Sequence, residues 1–144
     1  MRILVVLPAY NEEQALPHLL DSLIENLSED AKDYSIIVVN DGSRDRTGEV
    51  ADSYAARHPI LVLHNDSNKG LAETMRRGLM EAVSRADPKD IIVTMDADNT
   101  HPAGLTLRMI RSIREGNDVV IASRYREGSQ VRGVSLERRL LSRA

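Results

Sequence analysis

The sequence contains no cysteine, no phenylalanine and no tryptophan. Without cysteine, a disulfide framework, a thiolate metal site and a Cys nucleophile are all excluded. Four tyrosines are the only aromatic residues, so the core has to be built from Leu, Ile, Val, Met and Ala. A base-stacking platform for single-stranded nucleic acid is therefore not expected, and nucleic acid is not an expected partner. The longest apolar run, residues 3–7, is far too short to span a bilayer. It carries no secretory flanks, so the chain reads as cytosolic. Three familiar motifs are also missing. No Gly-x-Gly-x-x-Gly follows the first apolar run and no Gly-x-x-x-x-Gly-Lys occurs, which disfavours a nicotinamide Rossmann domain and a P-loop NTPase. No Gly-x-Ser-x-Gly occurs either, which disfavours an α/β-hydrolase.

What is present fits one globular domain over residues 1–144. Hydrophobic residues make up 42% and charged residues 28% of the chain, enough apolar surface to argue against intrinsic disorder. The net charge of -3 conceals an asymmetry. Residues 124–144 carry six Arg against Glu127 and Glu137, while residues 1–123 carry 13 basic and 20 acidic side chains. An acidic body with a basic end bears on the choice of partners.

Short β-branched runs alternate with helical patterns. Ile3-Leu4-Val5-Val6-Leu7 reads as a strand stopped by Pro8, and such continuous runs suit strands buried on both faces of a parallel sheet. Leu16, Leu19, Leu20, Leu23, Ile24 and Leu27 form one helix face, with Pro17 tolerable in the first turn. Ile36-Ile37-Val38-Val39 is a second strand; a helix marked by Val50, Ala51, Tyr54 and Ala55 follows, capped by Asp45 or Thr47. Residues 60–63 give a third strand, and Leu71, Met75, Leu79 and Val83 a helix after Gly70. Ile91-Ile92-Val93 is a fourth strand, Leu105, Met109, Ile110 and Ile113 a helix ended by Gly116, and Val119-Val120-Ile121 a fifth strand. Residues 124–133 read as a loop, and a short amphipathic helix starts near Ser135. The alternation predicts an α/β protein: an open, mostly parallel sheet with helices on both faces.

In such sheets ligands bind beyond the carboxyl ends of the strands. Those ends gather Glu12, Asp41, Asp96, Asp98 and Arg124. The Asp96-Ala97-Asp98 triplet is the sharpest feature. In an extended segment its two carboxylates share a face, and such a pair can hold a hard cation through oxygen, which in turn can neutralise a leaving diphosphate. A helix cap is the plainer reading of the same residues. Asp41 in Asn40-Asp41-Gly42-Ser43 is either a turn residue or a carboxylate facing a nucleobase or ribose. Tyr10 is either a half-buried aromatic or a ring against a base. Glu12 and Glu13 are equally compatible with acids in a first helical turn. His18, His58 and His64 lack metal-ligand spacing, whereas His101 lies close to the triplet.

The ordered set Val6-Leu7-Pro8-Ala9-Tyr10-Asn11-Glu12, Val38-Val39-Asn40-Asp41-Gly42-Ser43 and Met95-Asp96-Ala97-Asp98 resembles family 2 glycosyltransferases, which have the nucleotide-sugar-binding GT-A fold. Ala122-Ser123-Arg124-Tyr125 and Ser135-Leu136-Glu137-Arg138-Arg139-Leu140-Leu141-Ser142-Arg143 look closer to one branch, the dolichol- or polyprenyl-phosphate mannosyltransferases and their bacterial relatives. The resemblance covers essentially the whole chain.

By that resemblance Pro8, Tyr10 and Glu12 line the base and ribose pocket, Val39 and Asp41 contact the base, and Asp96 and Ala97 sit at the ribose and diphosphate. Asp98 ligates Mg²⁺ or Mn²⁺, and Arg124 approaches the sugar or diphosphate. The implied reaction is metal-dependent, inverting transfer of a hexose, mannose or glucose, from a GDP- or UDP-sugar to a polyprenyl or dolichyl phosphate. The implied location is the cytoplasmic face of a membrane, with the basic helix at the surface. Two departures stand out. Thr100 occupies a position where many relatives carry a metal-binding Gln. The family's domain also continues past the equivalent of Ala144, so residues 1–144 are expected to be its amino-terminal portion and inactive alone. Transfer to a sugar hydroxyl in polysaccharide synthesis, and a nucleotide-binding module without catalysis, remain alternatives.

Overall fold

The structure of the protein, a computed structural model, describes residues 1–30, 33–98 and 103–123. Among the described residues, four strands alternate with four helices. β1 (Ile3–Ala9), β2 (Tyr34–Asn40), β3 (Ile60–His64) and β4 (Ile91–Thr94) are each followed by a helix: α1 (Ala15–Asp30), α2 (Thr47–Ala55), α3 (Leu71–Arg85) and α4 (Ala103–Arg114). The strands form one sheet in the order β3-β2-β1-β4, parallel throughout. β1 is central, with Val5 opposite Ile36 on one side and Val93 on the other. Every residue of β1 is buried, as expected of a strand covered on both faces.

The alternation of side chains along β1 divides the core in two. Ile3, Val5 and Leu7 pack with Leu16, Leu19, Leu20, Leu23 and Leu27 of α1, Ala51 of α2 and Ile110 of α4. Leu4 and Val6 pack with Ile37, Val39 and Ala82 on the α3 side. Helices thus cover both faces. α3 approaches closely because it presents Thr74, Gly78 and Ala82, one small residue per turn. A methyl group at Gly78 would lie 2.4 Å from Val6 Cγ1 and 3.0 Å from Val39 Cγ2.

Two strand expectations need correction. Pro8 does not stop β1, which continues through it to Ala9. The carbonyl of Ala9 accepts from Asp41 on the β2 side, whereas the carbonyl of Val6 accepts from Met95 on the β4 side. Backbone groups alternate in direction, so the Pro8 nitrogen also faces the β4 side, beyond the end of that ladder at Thr94. A missing N–H costs no ladder bond there. Residues 119–121 are not a fifth strand. They carry no strand assignment, and Val119 and Ile121 are 75% and 81% exposed. Residues 120–122 are separated from the end of β4 by a cavity of ≈ 290 Å³, lined also by Leu105, Thr106 and Met109 of α4. A β-branched run forms a strand only when another edge lies at ladder distance, about 4.8 Å, and here a gap intervenes. Among the described residues, no helix is long and apolar enough to cross a membrane. The expected loop at 124–133 and helix from Ser135 lie outside the described residues.

Candidate functional site

Beyond the carboxyl ends of β1, β2 and β4 lies a cavity of ≈ 330 Å³. The parallel sheet turns these ends to the same side, so residues distant in sequence meet there. β1 and the turn after it contribute Pro8, Ala9, Tyr10 and Glu12; the position just after β2 contributes Asp41; the segment after β4 contributes Asp96, Ala97 and Asp98. Asp41 and Asp98, 57 positions apart, therefore border one space. Val39 is not brought to it: its side chain is fully buried on the α3 face of the sheet. Arg124, Thr100 and His101 lie outside the described residues.

The turn after β1 is laced to the turn after β2. Asn11 N–H donates to Ser43 Oγ at 3.0 Å, Glu12 N–H to Thr47 Oγ1 at 2.7 Å, and Glu13 N–H to Asp45 Oδ2 at 3.2 Å. In return Arg44 N–H donates to Asn11 Oδ1 and Arg46 N–H to Glu13 Oε2. Asn11 has φ +56, a conformation that Asn tolerates better than most residues. Asp45 also accepts the Thr47 N–H and hydroxyl, but the expected cap at Asp45 or Thr47 needs correction: the residue in the cap position of α2 is Arg46, whose side chain makes no cap hydrogen bond. Burial alone would raise the Asp45 carboxyl, but these donors together hold it below its ordinary value. Glu13 is thus committed to the turn, while Glu12 faces the cavity.

The electrostatics of the cavity are those of crowded carboxylates. Burial first, then repulsion from Asp98, Asp45 and Asp96, pushes the Glu12 carboxyl above its ordinary value. Asp41 is the opposite case. It is 3% exposed, and burial would raise it, yet donation from Lys69 N–H, Asn65, Thr74 and Gly70 N–H outweighs that cost and lowers it. Asp41 is a buried carboxylate kept ionised by fixed donors, whereas Asp96 and Asp98 are exposed at the cavity rim.

Among the described residues, no group of three His, Asp or Glu side chains is arranged to enclose an ion. The described residues alone therefore offer no all-protein cage. The donor set at the rim still fits Mg²⁺ or Mn²⁺: hard carboxylate oxygens from Asp96 and Asp98, repelling a third carboxylate on Glu12. Mg²⁺ typically takes one or two carboxylates and completes its shell with water and substrate phosphate.

Four lining residues escape a reading of the sequence that stops at acidic strand ends: Asn68, Gly70, Leu71 and Thr74. They belong to the loop after β3 and the first turn of α3. The turn-forming run Asn65-Asp66-Ser67-Asn68-Lys69-Gly70, at the end of a strand neighbouring β2, was the available signal. Gly42, at φ +64, packs against this loop: a Cβ there would lie 2.4 Å from the Ser67 carbonyl carbon and 2.6 Å from the Asn68 nitrogen. His64 has a structural place, with Nδ1 on Asn40 Nδ2 at 3.0 Å and Nε2 on Asp52 Oδ1 at 3.1 Å.

The acidic residues at the strand ends of the parallel sheet thus border one cavity of ≈ 330 Å³. Residues 4–142 match the profile of glycosyl transferase family 2, and the chain belongs to that family. Within it, the chain is 36% identical to dolichol-phosphate mannosyltransferase of Pyrococcus furiosus, over 99% of this chain and 39% of that protein. It is 34% identical to undecaprenyl-phosphate mannosyltransferase of Micrococcus luteus, over 99% of this chain and 56% of the other. Polyprenol monophosphomannose synthase of Mycolicibacterium smegmatis is 33% identical, with 99% and 52% covered. The chain thus spans from about two-fifths to just over half the length of these relatives. Among solved structures, S. aureus TarS 1-349 superposes with a TM-score of 0.63 at 21% identity, covering 88% of this chain and 40% of that one. That likeness establishes the shared α/β fold of the GT-A class.

Proposed function

We propose that the protein binds a nucleoside diphosphate sugar in the strand-end cavity and serves the transfer of a hexose to a polyprenyl phosphate. The observation that carries this reading is the convergence of Glu12, Asp41, Asp96 and Asp98 on one cavity of ≈ 330 Å³. The names of the relatives supply the acceptor class: two are mannosyltransferases named for dolichol phosphate and undecaprenyl phosphate, and a third is named for synthesis of polyprenol monophosphomannose. A GDP- or UDP-sugar is the donor class that matches the motifs.

In this reading Pro8, Tyr10 and Leu71 give the base its apolar walls, and Asp41 holds the polar edge of the same pocket. Asp96 and Asp98 would hold Mg²⁺ or Mn²⁺, which when bound supplies positive charge to the leaving diphosphate. Arg124 adds positive charge near the same group. An oxygen of the acceptor phosphate attacks the anomeric carbon, the bond from that carbon to the diphosphate oxygen breaks, and the nucleoside diphosphate leaves. The configuration at carbon inverts in this single displacement. The acceptor phosphate is already anionic near neutral pH, so no side chain has to remove a proton from it. The basic amphipathic helix read from residues 135–143 would lie in the membrane interface, where such an acceptor resides.

The test is transfer of labelled mannose or glucose from the GDP- or UDP-sugar to a polyprenyl phosphate by the full-length protein, with and without chelator. Metal-dependent product is expected. Undiminished transfer in excess chelator contradicts the role given to Asp98, and transfer to a sugar hydroxyl in place of the lipid phosphate contradicts the acceptor.

A further inference from the structure

The hydrogen-bonding capacity of Asp41 is largely taken up within the protein. Oδ1 accepts from Asn65 Nδ2 at 2.7 Å and from the Lys69 N–H at 2.8 Å, while Oδ2 accepts the Gly70 N–H at 3.0 Å. Lys69 and Gly70 immediately precede α3, and their neighbours Asn68 and Leu71 line the cavity. The wall of the cavity on this side therefore hangs from one buried carboxylate.

The suspension extends outward from the cavity. Asn65 does not line it, but the Asn65 amide donates both to Asp41 and to Thr74 Oγ1, the latter at 3.2 Å. Its Oδ1 accepts in turn from Arg77 Nη1, which also donates to the His64 carbonyl at 2.7 Å. Arg77 is an exposed residue of α3 and likewise does not line the cavity. The Asn65 amide is thus polarised from both ends, by a guanidinium at its oxygen and a carboxylate at its nitrogen. Both hydrogen bonds are charge-assisted, and each orients the amide for the other.

We infer that Arg77 and Asn65 are positioning residues for the donor site: acting through Asp41, they hold the 66–70 loop in the shape that receives the nucleotide. The inference rests on the nucleotide reading given above. It assigns to Asp41 the task of fixing that loop, beyond any contact with a base. It also places a determinant of donor affinity on an arginine that never touches the donor. A bound base would press on a loop already tied down and would not have to order it, and preorganisation of that kind is gained as affinity.

The experiment compares Arg77→Met, Arg77→Lys and Asn65→Leu with the unaltered chain in two readouts. The first is amide hydrogen exchange without ligand. Lys69 and Gly70 should exchange about tenfold faster in Arg77→Met and Asn65→Leu, the equivalent of one weakened charge-assisted hydrogen bond, while Val5 and Leu7 in the central strand keep their protection. Arg77→Lys, which keeps the positive charge but loses the planar guanidinium, should fall between. The second is calorimetric affinity for GDP and for UDP with Mn²⁺, which should weaken by about the same factor in the same order. Unchanged exchange at Lys69 and Gly70 in Arg77→Met overturns the inference, as does faster exchange with unchanged affinity. If the unaltered chain binds neither nucleotide, the donor-site role falls together with the nucleotide reading. The exchange data then show separately whether the side-chain relay exists. Should Asn65→Leu fail to fold, the two Arg77 variants decide, because their side chain is at the surface.

Discussion

Replacing Gly42 with alanine introduces a methyl group where three backbone atoms already stand. The new Cβ would meet the Ser67 carbonyl carbon at 2.4 Å, the Asn68 nitrogen at 2.6 Å and the Ser67 Cα at 2.7 Å. Restoring an ordinary contact of 3.4 Å means moving main chain, since no flexible side chain is there to yield. Gly42 also sits at φ +64, where an L-residue costs about 1–2 kcal/mol. Overpacking adds about 1–3 kcal/mol. Together these predict a loss of about 2–5 kcal/mol, a large fraction of the stability of a domain this size. The displaced segment is the one that lines the cavity through Asn68, Gly70 and Leu71. Affinity for GDP or UDP should therefore fall about tenfold or more in the part of the population that stays folded, as expected when one or two fixed hydrogen bonds are lost. Urea denaturation gives the first quantity and calorimetry below the transition gives the second. Gly116→Ala is the control: its φ is +107, but nothing lies within 4 Å of its Cβ position and it is remote from the cavity. It should lose stability through its backbone alone and leave affinity unchanged. A Gly42→Ala loss below about 1 kcal/mol, or a large loss with affinity intact, would refute the reasoning that couples this turn to the loop.

Three further outcomes follow from the charges. The folded-state value of Glu12 is raised above its ordinary 4.5, so its contribution to stability is present below that pH and is lost as pH rises through the folded value; Glu12→Gln should raise Tm near neutral pH and flatten this dependence in thermal melts. The folded-state value of Asp41 is lowered below 3.8, so its contribution is present above that pH and disappears as pH falls through the folded value. Asp41→Asn should cost about 1–3 kcal/mol at neutral pH while making the acid limb of the denaturation curve shallower, and an acid limb identical to that of the unaltered protein would count against the Asp41 hydrogen bonds. For the basic segment, flotation of the full-length protein with anionic vesicles should weaken with salt and drop when Arg138 and Arg139 become Glu, by about 1 kcal/mol for each arginine lost.

Much of this architecture is legible in the residue order because parallel strands announce themselves. A run such as Ile36-Ile37-Val38-Val39 has no polar face to offer solvent and has to be buried on both sides. The errors came from groups whose fate depends on a neighbour. Pro8 looks like a terminator until the ladder on its β4 side is seen to end at Thr94. Residues 119–121 look like a strand until a gap is found where an edge was needed. At the site, the acidic residues could be anticipated because ligands gather at strand ends. Asn68 had a signal in the turn-forming run 65–70, but Leu71 and Thr74 could not be singled out, since what holds that side of the cavity is a set of hydrogen bonds to Asp41 from a loop 24 or more positions away. The absence of Val39 from the cavity has a similar origin: it lies within β2, two residues before Asp41, and its side chain is buried beneath Gly78 of α3.

The most direct test of the central claim is a calorimetric titration of GDP and UDP into the protein, with Mn²⁺, with chelator, and with Asp98→Ala in place of the native residue. The account predicts one saturable site for at least one of the two nucleotides in Mn²⁺. Binding should be lost or strongly weakened by chelator and by Asp98→Ala. Binding that is indifferent to both chelator and Asp98→Ala, or the absence of binding for either nucleotide in Mn²⁺, would contradict it.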